Sequence, residues 1–365
     1  MGLKCGIIGI TNTGKTTLFN CISETKVATS NFAFSTNKSN LGQVKVPDDR
    51  LLKLDSLIHS ARVMPTTVDI VDIPGLTKGS SKGEGVGNSF LADIRNCDAL
   101  IHVVRCFDDP NLPHIDTTIN PVRDRETIDL ELQIKDLDAI DKRILKLEKA
   151  ARTGDKASKH GLDVVNGIKA HLEDFKNVRT LNLSPEELEH ISDLCLLSLK
   201  PVIYVCNVDE KSAISGNSYS DRFIESVKDE KGETLIIAAK AESDIAELED
   251  MEDRLAFLSE LKLNEPGVNK LIRSAFSILN LDVFFTAGPK EVRAWTIRRG
   301  ATAPEAAGVI HSDLQRGFIR AEVIKYKDYI SYKTEAACRD AGKLFIEGKN
   351  YIVEDGDVLH IRFNV

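Results

Sequence analysis

The chain has no apolar run long enough to span a bilayer, so a membrane-spanning helix is not expected. A secretory leader is not expected either, because Met1-Gly2-Leu3-Lys4 runs directly into an apolar strand. Gly2 alone makes no myristoylation site with a buried strand starting so close behind it. Paired cysteines are missing as well. Cys5, Cys21, Cys97, Cys106, Cys195, Cys206 and Cys338 are scattered, odd in number, and without metal-ligand spacing. Most sit in apolar runs, which predicts buried free thiols in a reducing, cytoplasmic setting. Nor is there an excess of positive charge: a net charge of -8 argues against wrapping nucleic acid with the whole surface, though a local basic patch stays open. What remains is an ordinary soluble composition, and at 365 residues two or three domains are expected rather than one.

The organising stretch is Gly9-Ile10-Thr11-Asn12-Thr13-Gly14-Lys15-Thr16-Thr17. It follows the apolar run Lys4-Cys5-Gly6-Ile7-Ile8 and leads into Leu18-Phe19-Asn20-Cys21-Ile22, which suits a helix. Strand, G-x-x-x-x-G-K-T and helix in that order make a phosphate-binding loop. Its glycines let successive backbone N–H groups converge on phosphate oxygens, and the helix adds its positive end. Lys15 is expected to reach the β- and γ-phosphates, and the Thr16 hydroxyl to bind Mg²⁺.

Further along, Val68-Asp69-Ile70-Val71-Asp72 reads as a strand that ends in Asp72-Ile73-Pro74-Gly75. An Asp at a strand terminus followed by x-x-Gly, placed after a phosphate loop, is the second phosphate-side element. Asp72 is expected to hold Mg²⁺ and the Gly75 N–H to sense the γ-phosphate. Thr36 is the candidate for a second Mg²⁺ threonine, with an ordinary loop threonine as the alternative. The span Lys78 to Gly87 holds four glycines, which suits a segment ordered by a triphosphate. His102, inside the strand Ala99-Leu100-Ile101-His102-Val103-Val104-Arg105, reads as a core histidine.

Between about 126 and 200 the texture becomes helical. Leu137, Ile140, Ile144, Leu147 and Ala151 recur at spacings of three and four, and Val165, Ile168, Leu172 and Phe175 make a second set. Two such helices predict an antiparallel hairpin, with a third helix opening on the capping box Ser184-Pro185-Glu186-Glu187. Lys142, Arg143, Lys146, Lys149, Arg152, Lys156, Lys159 and His160 gather toward the hairpin tip, either as a solvated face or as a dock for a polyanion. Strands resume at Pro201 to Cys206 and at Thr234 to Lys240. From about Leu281 short strands alternate with turns, a separate small α+β domain. The expected organisation is α/β. Residues 1–125 and 201–280 form the two parts of a P-loop nucleotide-binding domain, 126–200 a helical coiled-coil insertion, and 281–365 a C-terminal domain.

The base and the water each lack a usual reader. A guanine site uses N-K-x-D, whose Asp accepts from N1–H and the 2-amino group. Here the series is Asn207-Val208-Asp209-Glu210, with no Lys and a longer Glu in the Asp position. Losing that grip relaxes guanine discrimination, so ATP is expected over GTP. Leu76 stands where related enzymes place a water-orienting Gln. His114, on a polar loop after a core strand, is the candidate to replace it, the alternative being a surface histidine.

Together these residues closely resemble the YchF family, the Obg-like ATPases of the translation-factor class of P-loop NTPases. The resemblance runs through the phosphate loop, Asn31-Phe32-Ala33-Phe34-Ser35-Thr36, Asp72 to Leu76, Lys78 to Asn88, His102 to Phe107, the helical insertion, Asn207 to Glu210, and Phe285 to Pro304. It implies a P-loop sheet with an inserted coiled-coil hairpin and a C-terminal TGS domain, a β-grasp-like module. It implies Mg²⁺-dependent ATP hydrolysis with a hydrophobic residue in place of the Gln and a loop histidine matched by His114. It further implies nucleotide contacts at Asn12, Thr13, Gly14, Lys15, Thr16, Thr17, Gly75, Asn207, Val208 and Glu210, and K⁺ held with the help of Asn12. Ribosomes are the implied partner, as the large subunit or the whole particle, with rRNA met through the hairpin and the TGS domain. Translation or stress regulation is the implied role. The rivals are a GTPase of the same class and a module that binds ATP without hydrolysing it. Two departures stand out: the loop has Thr11, Thr13 and Thr16 where the family usually reads G-x-P-N-V-G-K-S, and Ala238 replaces the Ser common beside the base.

Overall fold

Central strands that are apolar on both faces dictate a buried parallel sheet, and the chain has two such strands in succession. The computed structural model describes residues 3–23, 39–75, 86–152, 155–230 and 232–364. Its contacts divide the chain into a first unit, Met1–Gln43 with Asp69–Leu271, and a second, Val44–Val68 with Ile272–Val365.

In the first unit, six strands numbered along the chain are β1 (Lys4–Ile8), β2 (Asn40–Lys45), β4 (Thr67–Asp72), β5 (Ala99–Cys106), β6 (Val202–Val208) and β7 (Glu233–Ile237). They lie in the order β2-β4-β1-β5-β6-β7. The pairs β1–β4, β1–β5, β5–β6 and β6–β7 are all parallel. Every residue of β5 and of β6 is buried. His102 is 2% exposed, and burial pushes its pKa down to about 3, as a core histidine requires. One apolar cluster joins Ile8, Leu100, Val104, Tyr204 and Cys206 of the sheet to Phe90, Leu91 and Ile94 of the following helix. The strand read from Thr234 onward stops at Ile237, because Ala239 already opens a helix.

The helices numbered here are α1 (Lys15–Ile22), α2 (Asp49–Ile58), α3 (Val86–Arg95), α4 (Pro121–Ala151), α5 (Lys156–Glu173), α6 (Pro185–Glu189), α7 (Ser218–Val227) and α8 (Ala239–Glu247). The insertion starts earlier than its periodicity suggests. The Asn120 side chain caps α4 by accepting from Arg123 N–H, and Pro121 takes the first helical position, so α4 runs for 31 residues. Asp155 caps α5 in the same way through Ser158 N–H. Ile140 packs with Val165, Ile168 and Leu172 in one cluster, flanked by Leu137, Ile144 and Leu147, which makes the predicted hairpin seam. Phe175 is a correction: it lies just past the end of α5 with φ 57° and is 75% exposed. A residue in the left-handed region ends the helix, so the apolar spacing no longer carries its side chain onto the seam. Ser184 and Glu187 form the expected capping box, although α6 spans five residues only.

The second unit holds β3 (Val63–Met64), β8 (Leu281–Ala287), β9 (Val292–Arg298), β10 (Phe318–Lys325), β11 (Leu344–Glu347) and β12 (Asp357–Phe363), in the order β11-β10-β12-β8-β9-β3. Helix Ala303–Ile310 presents Ala303, Ala306 and Ala307 to Phe284, Phe318, Val323 and Leu359, the layout of a sheet gripping one helix. Residues 44–68, read above as part of the nucleotide-binding stretch, cluster instead with this unit. Val63 pairs in parallel with Val292, and Arg50 makes an ion pair of 2.6 Å with Asp355 while lying 5.4 Å over the Phe285 ring. Pairings this remote in sequence leave no local trace in the residue pattern.

Five of the seven cysteines are buried, whereas Cys21 is half-buried and Cys195 is exposed. Among the described residues no helix is long and apolar enough to cross a membrane.

Candidate functional site

The loop between β1 and α1 closes over its own carbonyls. Asn12 has φ 60° and Gly14 φ 92°, so the backbone turns through the left-handed region twice within three residues. A Cβ on Gly14 would lie 2.3 Å from Asn207 Nδ2, which leaves glycine as the residue that fits. No side chain caps α1 at Gly14, so the positive end of that helix faces the loop concavity.

Lys15 is 7% exposed and donates from Nζ to the Ile10 carbonyl at 2.6 Å. Burial lowers its pKa to about 8, while Asp72 pulls in the other direction. Thr13 Oγ1 donates to the same carbonyl at 3.2 Å. Thr16, one residue into α1, donates from Oγ1 to Asp72 Oδ2 at 2.9 Å. Asp72 is 3% exposed, and its other oxygen, Oδ1, is buried without a hydrogen-bond partner among the described residues. Burial raises the Asp72 pKa, against the Thr16 hydrogen bond and the Lys15 charge. An orphaned buried carboxylate oxygen beside a threonine hydroxyl is a hard-oxygen donor set, which fits Mg²⁺. P-loop ATPases and GTPases generally use that ion. Gly75 lies against the same loop: a Cβ there would meet Thr11 Cγ2 at 3.0 Å and Lys15 Nζ at 3.1 Å. Thr17 occupies the first turn of α1, where its carbonyl accepts from Cys21 Sγ at 3.1 Å. Thr36 and Leu76 lie outside the described residues.

On the base side, Asn207 is the penultimate residue of β6 and is 4% exposed. Its Nδ2 donates to Thr13 O at 2.8 Å, and its Oδ1 accepts from Ala239 N–H at 3.0 Å. Sequence reasoning assigned this Asn to the nucleotide; its bridging of two loops is visible only in three dimensions. Val208 is 2% exposed, and Glu210 is exposed at the start of a 3-10 turn, Glu210–Ser212.

His114 is not the surface side chain that its loop suggests. Its side chain is 3% exposed. Nε2 lies 3.0 Å from Asp124 Oδ2 in the first turn of α4, and Nδ1 accepts from Asp116 N–H at 3.1 Å. The preceding loop is pinned by Arg105, which donates to the carbonyls of Phe107, Asp109 and Leu112. Asn12 Nδ2 donates to Pro113 O at 3.1 Å, which ties this loop to the phosphate loop. The Asp124 pKa is raised by burial, against the His114 and Arg123 contacts. Asp124 escaped the sequence reading because a first-turn Asp on a long helix looks like an ordinary dipole partner.

A second group missed from sequence sits at the root of α4. Arg125 pairs with Glu230 at 2.6 Å, and Arg179 pairs with Asp129 at 3.0 Å while donating to Tyr204 OH at 3.1 Å. The one available signal was the i, i+4 pair Arg125–Asp129, 3.5 Å apart, which reads equally well as a solvated face.

Residues 281–364 match the family described as YchF-GTPase_C, a protein of unknown function, and residues 4–149 match one described as a 50S ribosome-binding GTPase. The chain is 48% identical over 365 residues to the "Ribosome-binding ATPase YchF" of Pasteurella multocida (strain Pm70), covering 100% of both. It is 44% identical over 367 residues to the protein of that name in Bacillus subtilis (strain 168), again covering 100% of both. Among solved structures it is similar to the Schizosaccharomyces pombe YchF GTPase, with a TM-score of 0.87, 34% identity, and 99% of this chain and 98% of that one covered. With a phosphate loop, an Asp72 strand end, a helical insertion and a C-terminal module in one continuous match, this chain belongs to the YchF family.

Proposed function

We propose that the protein is a Mg²⁺-dependent ATPase that binds ribosomes in the cytoplasm and regulates translation or the stress response through its bound nucleotide. The observation that carries the reading is the Thr16–Asp72 pair with its orphaned Asp72 Oδ1, set beside the Lys15 ammonium. Thr16 and Asp72 would hold the ion, with Thr36 as a third ligand, and Mg²⁺ would supply charge neutralisation to the phosphates. Lys15 exchanges its bond to Ile10 O for the terminal phosphates, and the Gly75 N–H meets the γ-phosphate. Backbone groups of Asn12 to Thr17 cradle the phosphate chain, and Asn12 helps to hold K⁺. His114 orients the attacking water in place of the usual Gln, so slow intrinsic turnover is expected until a partner completes the site.

Relatives named as ribosome-binding ATPases support both the ribosome and ATP. The large subunit or the whole ribosome is the partner, met through rRNA by the hairpin and the C-terminal module. Base choice rests on Asn207, Val208 and Glu210. Adenine offers an acceptor at N1 and no 2-amino group, so a site without the guanine-gripping Asp has no means of rejecting it. The match to a family of 50S ribosome-binding GTPases and the likeness to the Schizosaccharomyces pombe YchF GTPase keep a GTPase as the second reading. Calorimetric dissociation constants for ATP and GTP, with single-turnover phosphate release measured with and without ribosomes, test the proposal. ATP preference with ribosome-stimulated release is expected. A tenfold preference for GTP, or binding without hydrolysis, overturns it.

A further inference from the structure

Both ring nitrogens of His114 are taken up by protein partners. Asp116 N–H points at Nδ1, which must therefore carry its lone pair, so the ring proton is on Nε2 and is donated to Asp124 Oδ2. With both nitrogens engaged and the side chain 3% exposed, the imidazole is occupied by protein partners and buried from solvent. Asp124 is itself clamped. Arg123 Nη2 contacts its Oδ1 at 3.2 Å, and Arg123 Nε reaches Asp116 Oδ2 at 3.3 Å, so one guanidinium steadies both partners of the histidine.

The position of Asp124 gives this arrangement a handle. It lies in the first turn of α4, whose 31 residues extend without a break to the hairpin tip. At 1.5 Å per residue that is a lever of roughly 46 Å. On its other side the His114 loop is fastened to the phosphate loop by Asn12 and to β5 by Arg105. Displacing the first turn of α4 thus pulls on Asp124 while Pro113 stays put.

We propose that Asp124 is a latch that parks His114, and that displacement of the α4 root by a bound partner releases the imidazole toward the attacking water. This rests on the reading of His114 given above and adds the residue through which the hairpin controls it. Asp124 is a positioning residue here, since it acts through His114.

The test compares wild type, Asp124→Ala, Asp124→Asn, His114→Ala and the His114→Ala/Asp124→Ala double variant. Single-turnover ATP hydrolysis, KM for ATP, the fold-stimulation by ribosomes and thermal midpoints are measured for each full-length chain. Asp124→Ala is expected to raise basal kcat at least threefold with KM unchanged, and to shrink the stimulation by ribosomes in proportion. The double variant should fall to the level of His114→Ala. Should Asp124→Ala fail to fold, Asp124→Asn carries the test, since it keeps shape and an acceptor oxygen but loses the charge; a smaller rise is expected. A folded Asp124 variant whose basal kcat is unchanged or lower overturns the latch. If His114→Ala alone leaves basal and stimulated rates at wild-type values, the His114 assignment itself fails, and the two failures are told apart.

Discussion

Asn207 and Thr13, 194 positions apart, are joined by a buried hydrogen bond of 2.8 Å from Nδ2 to the Thr13 carbonyl. The same side chain accepts from Ala239 N–H at 3.0 Å, so one amide sets the spacing between the phosphate loop and the start of α8. Replacing Asn207 by Ala leaves a buried carbonyl and a buried N–H unpaired, at a cost of about 1–3 kcal/mol for each group so exposed to loss. Asn207→Ala should lower the thermal midpoint and weaken ATP binding at least tenfold in calorimetry. Retained affinity would mean that the two loops hold their spacing without it.

Thr16 and Asp72 make a sharper pair of variants. Thr16→Val removes the hydroxyl and keeps the volume, while Asp72→Asn keeps shape and removes charge. Both should lower single-turnover ATP hydrolysis by at least a hundredfold. Raising Mg²⁺ should recover part of the Thr16→Val loss and little of the Asp72→Asn loss. Chelating the metal with EDTA should bring the wild type down to the level of Asp72→Asn.

Lys15 carries a cost in the folded chain. Its pKa is lowered from 10.5 to about 8, burial being the main cause. Below that pKa the folded protein holds a charge that the unfolded chain hydrates better. Between about 8 and 10.5 the unfolded chain binds more protons, so the contribution of this group to stability rises with pH. Lys15→Met should therefore abolish hydrolysis and yet raise the thermal midpoint at pH 7, by a gain on the order of 2 kcal/mol. That gain should shrink as pH climbs through this window. Differential scanning fluorimetry of both proteins across pH 7 to 10 checks it, and a destabilised variant at pH 7 contradicts the account.

The α4 root behaves in the opposite sense. The Asp129 pKa is lowered: burial pushes it up, but the Arg179 and Arg125 guanidiniums outweigh that. A depressed carboxylate stabilises the folded state above the ordinary Asp pKa of 3.8 and loses that contribution as pH falls through its own lower value. Asp129→Asn should destabilise at pH 7, but by less than the about 3–5 kcal/mol of a fully orphaned buried charge, because Arg179 keeps Glu230 at 3.4 Å. The deficit against wild type should narrow as both proteins are acidified below pH 4 in urea titrations. A deficit independent of pH would assign the loss to packing alone.

The charges around α4 show where local patterns stop being informative. Asp124, Asp129 and Asp136 lie on a helix rich in Lys and Glu, and each looks like part of a solvated face. Asp136 is instead 1% exposed and accepts from Leu197 N–H, Ser198 N–H and Ser198 Oγ. Whether a carboxylate on a helix faces water or a neighbouring segment depends on what packs there, and periodicity carries no record of it. Phe175 illustrates the reverse case, an apolar residue in register with the seam that a single left-handed backbone angle turns out to solvent.

Family membership, the strand–loop–helix at Gly9 to Thr17, the helical insertion and the helix cap at Ser184 were all determined by the sequence alone. Each depends on residues within a few positions of one another, where backbone sterics and short-range hydrogen bonds act directly. Tertiary structure alone decided that Val44–Val68 clusters with the C-terminal unit, that Asn207 bridges two loops, and that Asp124 engages His114. Those outcomes join residues ten to more than two hundred positions apart, chosen by which buried polar groups must find partners once the chain has packed.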